Sequence, residues 1–246
     1  MNISKKGVAD LVRKNFTLYI LFRRLAPFFC KFFLLEDGFN SLGLLDEIPS
    51  GKVVIDVGSN DGTSINMIRQ YFPSAIIWAF DPVVSISSDD NNITFCNYAC
   101  GDLESTIELF IPTVGRHRLS QYSSTDQKKI EQQIRSDLQI GQREISFAKV
   151  VSNVVLIDSL ELSTSFLKID VEGFELNVLR GAKETIQRNR PIIVVEINDA
   201  ESFESINKFL SGLDYKPIKV TGRRNPKISF IEKYSTSYNN YTFIAP

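Results

Sequence analysis

Five acidic residues in this chain sit where hydrophobic runs stop. Asp56 closes "KVVID" and Asp81 closes "AIIWAFD". Asp170 and Glu172 end "SFLKIDVE", and Glu196 falls near the end of "PIIVVEI". Carboxylates at the ends of buried strands have three kinds of chemistry open to them. They can take a proton from a hydroxyl, accept hydrogen bonds from ligand donors, or hold a hard divalent cation through oxygen. Along "SFLKIDVE", Leu167, Ile169 and Val171 face one way, and Lys168, Asp170 and Glu172 the other. A central parallel strand is buried on both faces, so those charges need partners or a cleft. Lys168 is read as paired to an acid, and Glu172 could instead cap the helix that follows it. No histidine joins the acids, so a metal is not favoured over proton transfer by Asp170.

Between Asp56 and the next helix lies "VGSNDG". Gly58 permits a tight turn and close approach to the backbone. Gly62 lies at the start of a helix, whose free N–H groups and positive dipole end favour an anion. Asp56 suits a cationic or hydrogen-donating group. Asp81 falls where an acid meets ribose hydroxyls in nucleotide-binding sheets. An acid, an amide-rich turn and a second acid match S-adenosylmethionine, which carries an ammonium, a carboxylate and a ribose. The rival is a dinucleotide and an NAD-dependent oxidoreductase. Its G-x-G-x-x-G turn needs a third glycine that is missing here, and Asp61 would repel a pyrophosphate. An ordinary strand–helix turn that happens to contain glycines is the bland alternative.

The elements that must position these residues follow from periodicity. Buried strands are expected at Lys52 to Val57, Ala75 to Asp81, "NITFCNYACGD", Ser165 to Val171 and "PIIVVEI", with "STIELFIP" added beside the third, and "EISFAKVVSNVVLIDSL" is expected to give another strand and then a short helical turn. Helices are expected at Thr63 to Tyr71, Lys128 to Leu138, Phe174 to Arg188 and Ser202 to Leu210. "YKPIKV" and "NYTFIAP" would close the sheet as an antiparallel pair. Strands alternating with helices predict an α/β fold: a doubly wound, mostly parallel sheet with helices on both faces. The 246 residues suffice for one such domain, here residues 51–246, preceded by a helical extension over residues 1–50.

A net charge of −1 argues against a nucleic-acid partner. Cys30, Cys96 and Cys100 lack metal-type spacing and read as reduced, so a cytoplasmic setting is expected. "NFTLYILFRRLAPFFCKFFLL" (Asn15 to Leu35) is aromatic and basic, and too broken for a transmembrane helix. It could pack on the domain, lie over its cleft, or touch a membrane surface peripherally. His117, within "GRHRLS", is the sole histidine and could reach over the cleft.

The blocks "VVIDVGSNDG", "AFDP", "NYACGD", "VVLIDSL" and "FLKIDVEGFELNVLRGAKETI…RPIIVVEIN" together resemble FkbM-type S-adenosylmethionine-dependent methyltransferases, in order, from about Gly51 to Asn198. The resemblance implies a Rossmann-like class I methyltransferase fold: a seven-stranded sheet whose last strand is antiparallel. It implies O-methylation of a sugar, glycan or related polyhydroxyl acceptor. Asp56, Gly58, Asn60 and Gly62 would then hold the methionine end of the cofactor, Asp81 the ribose, and Asp102 would lie near the adenine. Asp170, Glu172 and Glu196 would face the acceptor. A non-catalytic interaction protein on the same fold is the alternative function.

Overall fold

The computed structural model describes residues 15–29, 37–86, 88–222 and 225–246. Residues 1–14 and 30–36 of the N-terminal extension, Cys30 among them, lie outside the described residues.

β1 (Val53–Val57) is a β-branched run buried at every position, as a central strand requires. It pairs in parallel with β2 (Ile77–Phe80) on one side and with β8 (Thr164–Ile169) on the other. β3 (Ile93–Cys96) continues beyond β2, and β9 (Ile192–Glu196) beyond β8, all in parallel. β12 (Asn240–Ile244) then runs antiparallel between β9 and β10 (Lys216–Thr221). The expected sheet of seven strands has an eighth. "KISF", inside the polar tip, folds back as β11 (Lys227–Phe230), antiparallel to β10 at the edge. The sheet is therefore mixed, in the order β11-β10-β12-β9-β8-β1-β2-β3.

Alternation along the strands splits the core in two. Ile55, Val57, Leu167, Ile169 and Val195 pack under α4 (Glu175–Arg180), α5 (Lys183–Asn189) and α6 (Ala200–Ser211). Val54, Ile77, Phe166 and Val194 pack under α2 (Thr63–Tyr71), with Phe39 and Leu42 from a 3-10 helix at Asp37–Leu44. The expected helix from Phe174 to Arg188 is broken into α4 and α5. A Cβ at Gly181 would overlap the carbonyl oxygen of Gly101, so the chain passes too close there for anything but glycine.

The run expected as one strand over "NITFCNYACGD" also divides. β4 (Ala99–Cys100) leaves the main sheet for a second one, ordered β4-β7-β5-β6. β5 (Ser105–Val114) pairs antiparallel with β7 (Ile145–Val155) along its whole length, and β6 (His117–Arg118) closes the hairpin. "STIELFIP" is thus a strand of this second sheet and not a neighbour of β3. Between β6 and β7 lies α3 (Gln127–Leu138), whose Ile130, Ile134 and Leu138 are buried with Tyr122 and with Tyr19 of α1 (Phe16–Phe29). The second sheet, α3 and α1 together form a cap beside the carboxyl ends of β1, β2, β8 and β9.

Candidate functional site

Strand order reverses at β1, so a crevice must open where β1 and β8 end. A cavity of about 920 Å³ lies there, lined by Gly58, Asn60, Asp81, Asp170, Glu172 and Glu196 from the main sheet. The cap supplies the facing wall, including Tyr19, Ser120, Lys129 and Gln133. Its apolar end is formed by Phe80, Tyr98, Ile107 and Leu109.

Gly58 has φ +83, and a Cβ there would overlap the Asp170 carbonyl oxygen. The glycine lets the ends of β1 and β8 meet. The amides expected to receive an anion are largely engaged already. Gly58 and Ser59 donate to the Phe80 carbonyl, Gly62 to Ser59, and Thr63 to the Asp61 carboxylate. Asn60 donates to Asp81 Oδ2 at 2.9 Å. Thr63 Oγ1 is buried and has no hydrogen-bond partner among the described residues.

Asp81 Oδ1 also accepts from the Val83 and Val84 amides, each at 2.8 Å. Burial pushes this carboxyl up from its ordinary value, against the pull of those three N–H donors. Asp56 is completely buried and lies beneath the cavity. Its carboxylate accepts from the Ser64 hydroxyl and faces Lys168 Nζ at 3.8 Å. Asp56 and Lys168 are register partners on β1 and β8, so their side chains share one face of the sheet. Burial raises the Asp56 carboxyl, and Lys168 opposes that rise.

Lys168, only 2% exposed, also donates to Asp170 Oδ2 at 3.0 Å. Asp170, Glu172 and Glu196 each bring a carboxylate oxygen to within 4.8 Å of the others. Burial and the facing Asp170 push the Glu196 carboxyl up to about 10. Burial thus favours the protonated form of Glu196 beside Asp170, and Lys168 donates to Asp170 from the other side. Glu172 adopts φ 55, a left-handed conformation that costs a non-glycine residue of order 1 kcal/mol and recurs at functional sites. The capping that Glu172 could have provided falls to Glu175, whose Oε1 accepts from the Val171 and Gly173 amides.

Three of the residues expected to hold the cofactor do not line the cavity, and Asp56, fully buried beneath it, is the first of them. Asp102 accepts from Asn177 Nδ2 at 3.1 Å on the helix side, and Tyr98, Ala99 and Cys100 line the cavity near it instead. Gly62 has φ +78 and opens α2 without lining the space. His117 packs edge-on against the Phe16 ring, 5.8 Å away, and belongs to a different cavity. Cys96 and Cys100 are free thiols.

The cavity lining would suit S-adenosylmethionine: Asp81 would meet the ribose, the Ser59–Thr63 turn the methionine end, and Tyr98 and Leu109 the purine. The same three carboxylates could hold a hard divalent cation, since all their ligand atoms are oxygens.

No curated protein matches the chain. Among solved structures, an FkbM methyltransferase from Methylobacillus flagellatus KT aligns with 85% of this chain and 48% of its own, at 14% identity and a TM-score of 0.49. The present chain thus spans about half the length of that protein. A precorrin-6y C5,15-methyltransferase from Geobacter metallireducens GS-15 aligns over 84% of this chain and 83% of its own, at 12% identity and a TM-score of 0.35. The model of the methyltransferase FkbM domain matches residues 56–217, from the end of β1 into β10, and the chain belongs to that family.

Proposed function

We propose that this protein is an S-adenosylmethionine-dependent O-methyltransferase acting on a hydroxyl of a sugar, glycan or related polyhydroxyl molecule. The observation that carries the reading is the meeting of two residue sets in one cavity. Asp81 and the Ser59–Thr63 turn stand on one side, and Asp170, Glu172 and Glu196 on the other. S-adenosylmethionine supplies a methyl group on a positively charged sulfur.

The protein's part is to align an acceptor oxygen and to take its proton, and alignment alone can account for much of the rate. A sugar hydroxyl is a weak nucleophile, so a nearby base helps. Asp170 is that base: its Oδ2 accepts from Lys168 Nζ at 3.0 Å, and burial pushes the adjoining Glu196 carboxyl toward its protonated form. Glu172 and Glu196 accept or donate hydrogen bonds to neighbouring hydroxyls. The cap supports a polyhydroxyl acceptor, because α3 turns Lys129, Gln132, Gln133 and Ser136 toward the cavity, all hydrogen-bonding groups. Asp56 holds Lys168 and Ser64 in place from below.

The test is transfer of a labelled methyl group from S-adenosylmethionine to a panel of glycosides. Asp170→Asn is expected to keep cofactor binding and lose about 10²-fold or more in turnover. Full activity in that variant would remove Asp170 from the mechanism. A second reading, in which the three carboxylates ligate a divalent cation, rests on their 4.8 Å grouping. Loss of turnover on chelation, restored by Mg²⁺, would assign them that role. Unchanged turnover would leave Asp170 as the base.

A further inference from the structure

Away from the cleft, α1 has two apolar sides. Its inner side is anchored: Tyr19 is buried in the cap and accepts a hydrogen bond from the Gln121 amide. Its outer side is not covered by the described residues. Leu18, Leu21 and Leu25 are 46%, 53% and 42% exposed, at the i, i+3, i+7 spacing of a single stripe. The helix contains no acidic residue.

A second cavity, of about 830 Å³, runs along this helix. Phe16, Ile20 and Leu21 form its apolar wall, and Arg116, Arg143 and His117 lie opposite, with Glu144 as the acid. The Arg143 guanidinium stands 5.2 Å above the Phe16 ring, so positive charge borders the apolar surface directly. The sequence is segregated in the same sense. Through Leu35 it holds seven Lys or Arg and one acidic residue, Asp10, in a chain whose net charge is −1.

We propose that α1 seats this protein on an anionic lipid bilayer, with the leucine stripe among the acyl chains and Arg116 and Arg143 at the headgroup phosphates. Helices with an apolar face bordered by cations bind at this depth, and each cation near an anionic surface adds to the attraction. No helix among the described residues is long and apolar enough to cross a membrane. A partner protein is the poorer occupant. Among the described side chains of this helix, one stripe of three leucines offers far less than the roughly 800 Å² per partner of a standard interface. The proposal does not depend on the methyl-transfer reading.

Co-sedimentation of the full chain with vesicles tests it. Wild type is expected to pellet with vesicles of phosphatidylcholine and phosphatidylglycerol, and about ten-fold less with phosphatidylcholine alone. The triple variant L18S/L21S/L25S is expected to lose binding by about ten-fold or more. R116Q/R143Q should lose the preference for anionic lipid. If the triple variant does not fold, Leu21→Trp supplies the same information, because the indole fluorescence it adds should shift to the blue with anionic vesicles. The proposal is overturned if wild type stays in the supernatant, if the folded triple variant binds as well as wild type, or if the emission of the Leu21→Trp variant does not move. It is equally overturned if wild type ignores vesicles and instead forms a dimer that the triple variant abolishes.

Discussion

Asp158 and Asp170 stand at opposite ends of β8, and the molecule uses them in opposite ways. Asp158, before the strand, gives its two oxygens to the Glu184 and Thr185 amides at the start of α5, at 3.0 and 2.7 Å. Its charge meets the positive end of a helix, an arrangement that stabilises the fold. Asp170, after the strand, meets Lys168 on one side and two further acids on the other. Around it the carboxyls of Asp56, Asp81, Glu175 and Glu196 are all raised by burial. The amino end of the sheet resolves its charges locally. The carboxyl end leaves them in conflict, and that is the end where a cationic cofactor and a proton-losing acceptor would relieve them.

The contrast can be broken most severely at Lys168. Lys168→Met leaves Asp56 and Asp170 without their buried cation, and stability is expected to fall by about 3–5 kcal/mol in denaturant titrations. A loss under about 1 kcal/mol would mean that the rim tolerates its charges without Lys168.

Glu196→Gln should act in the other direction. In the unfolded chain this carboxyl ionises near 4.5, whereas the folded protein keeps the proton to about 10. Folding therefore takes up a proton between those values, and stability falls as pH rises, by at most about 1.4 kcal/mol per pH unit. The neutral amide removes that dependence. The variant should melt higher than wild type, by a margin larger at about pH 8 than at about pH 5.5. An equal margin at both pH values would show that Glu196 is ionised in the folded state.

The smallest effect is expected at Asp158. Asp158→Ala removes one helix cap and should cost about 1 kcal/mol, with cofactor affinity unchanged.

How much of this could be read in advance follows from the range of the interactions. The β1–turn–α2 unit is local, and the apolar spacing places α2 at Thr63–Tyr71 as observed. The convergence of Asp81, Asp170 and Glu196 was also legible, because parallel strands put their carboxyl ends on one rim whatever their exact register. The second sheet was not. β5 and β7 pair across a stretch of some thirty residues, and an isolated polar–apolar strand does not disclose its partner. The close approach of Gly181 to Gly101, far away in sequence, is invisible to helix periodicity. Within the site, residue types were easier to foresee than hydrogen bonds. Nothing in "VGSNDG" says that the Gly58 and Ser59 amides fold back onto Phe80 of β2 or that the Thr63 hydroxyl is left buried without a partner among the described residues. Glu172 was open as a helix cap from the sequence, and only the hydrogen bonds of Glu175 to the Val171 and Gly173 amides show that another residue fills that role.

Isothermal titration with S-adenosylmethionine, on wild type and on the Asp81→Ala and Asp170→Asn variants, tests the central claim most directly. The account predicts one site per chain in wild type, about ten-fold or greater weakening in Asp81→Ala, where hydrogen bonds to a charged carboxylate are lost, and near-wild-type affinity in Asp170→Asn. Absence of binding by wild type at millimolar ligand, or equal binding by wild type and Asp81→Ala, would contradict it.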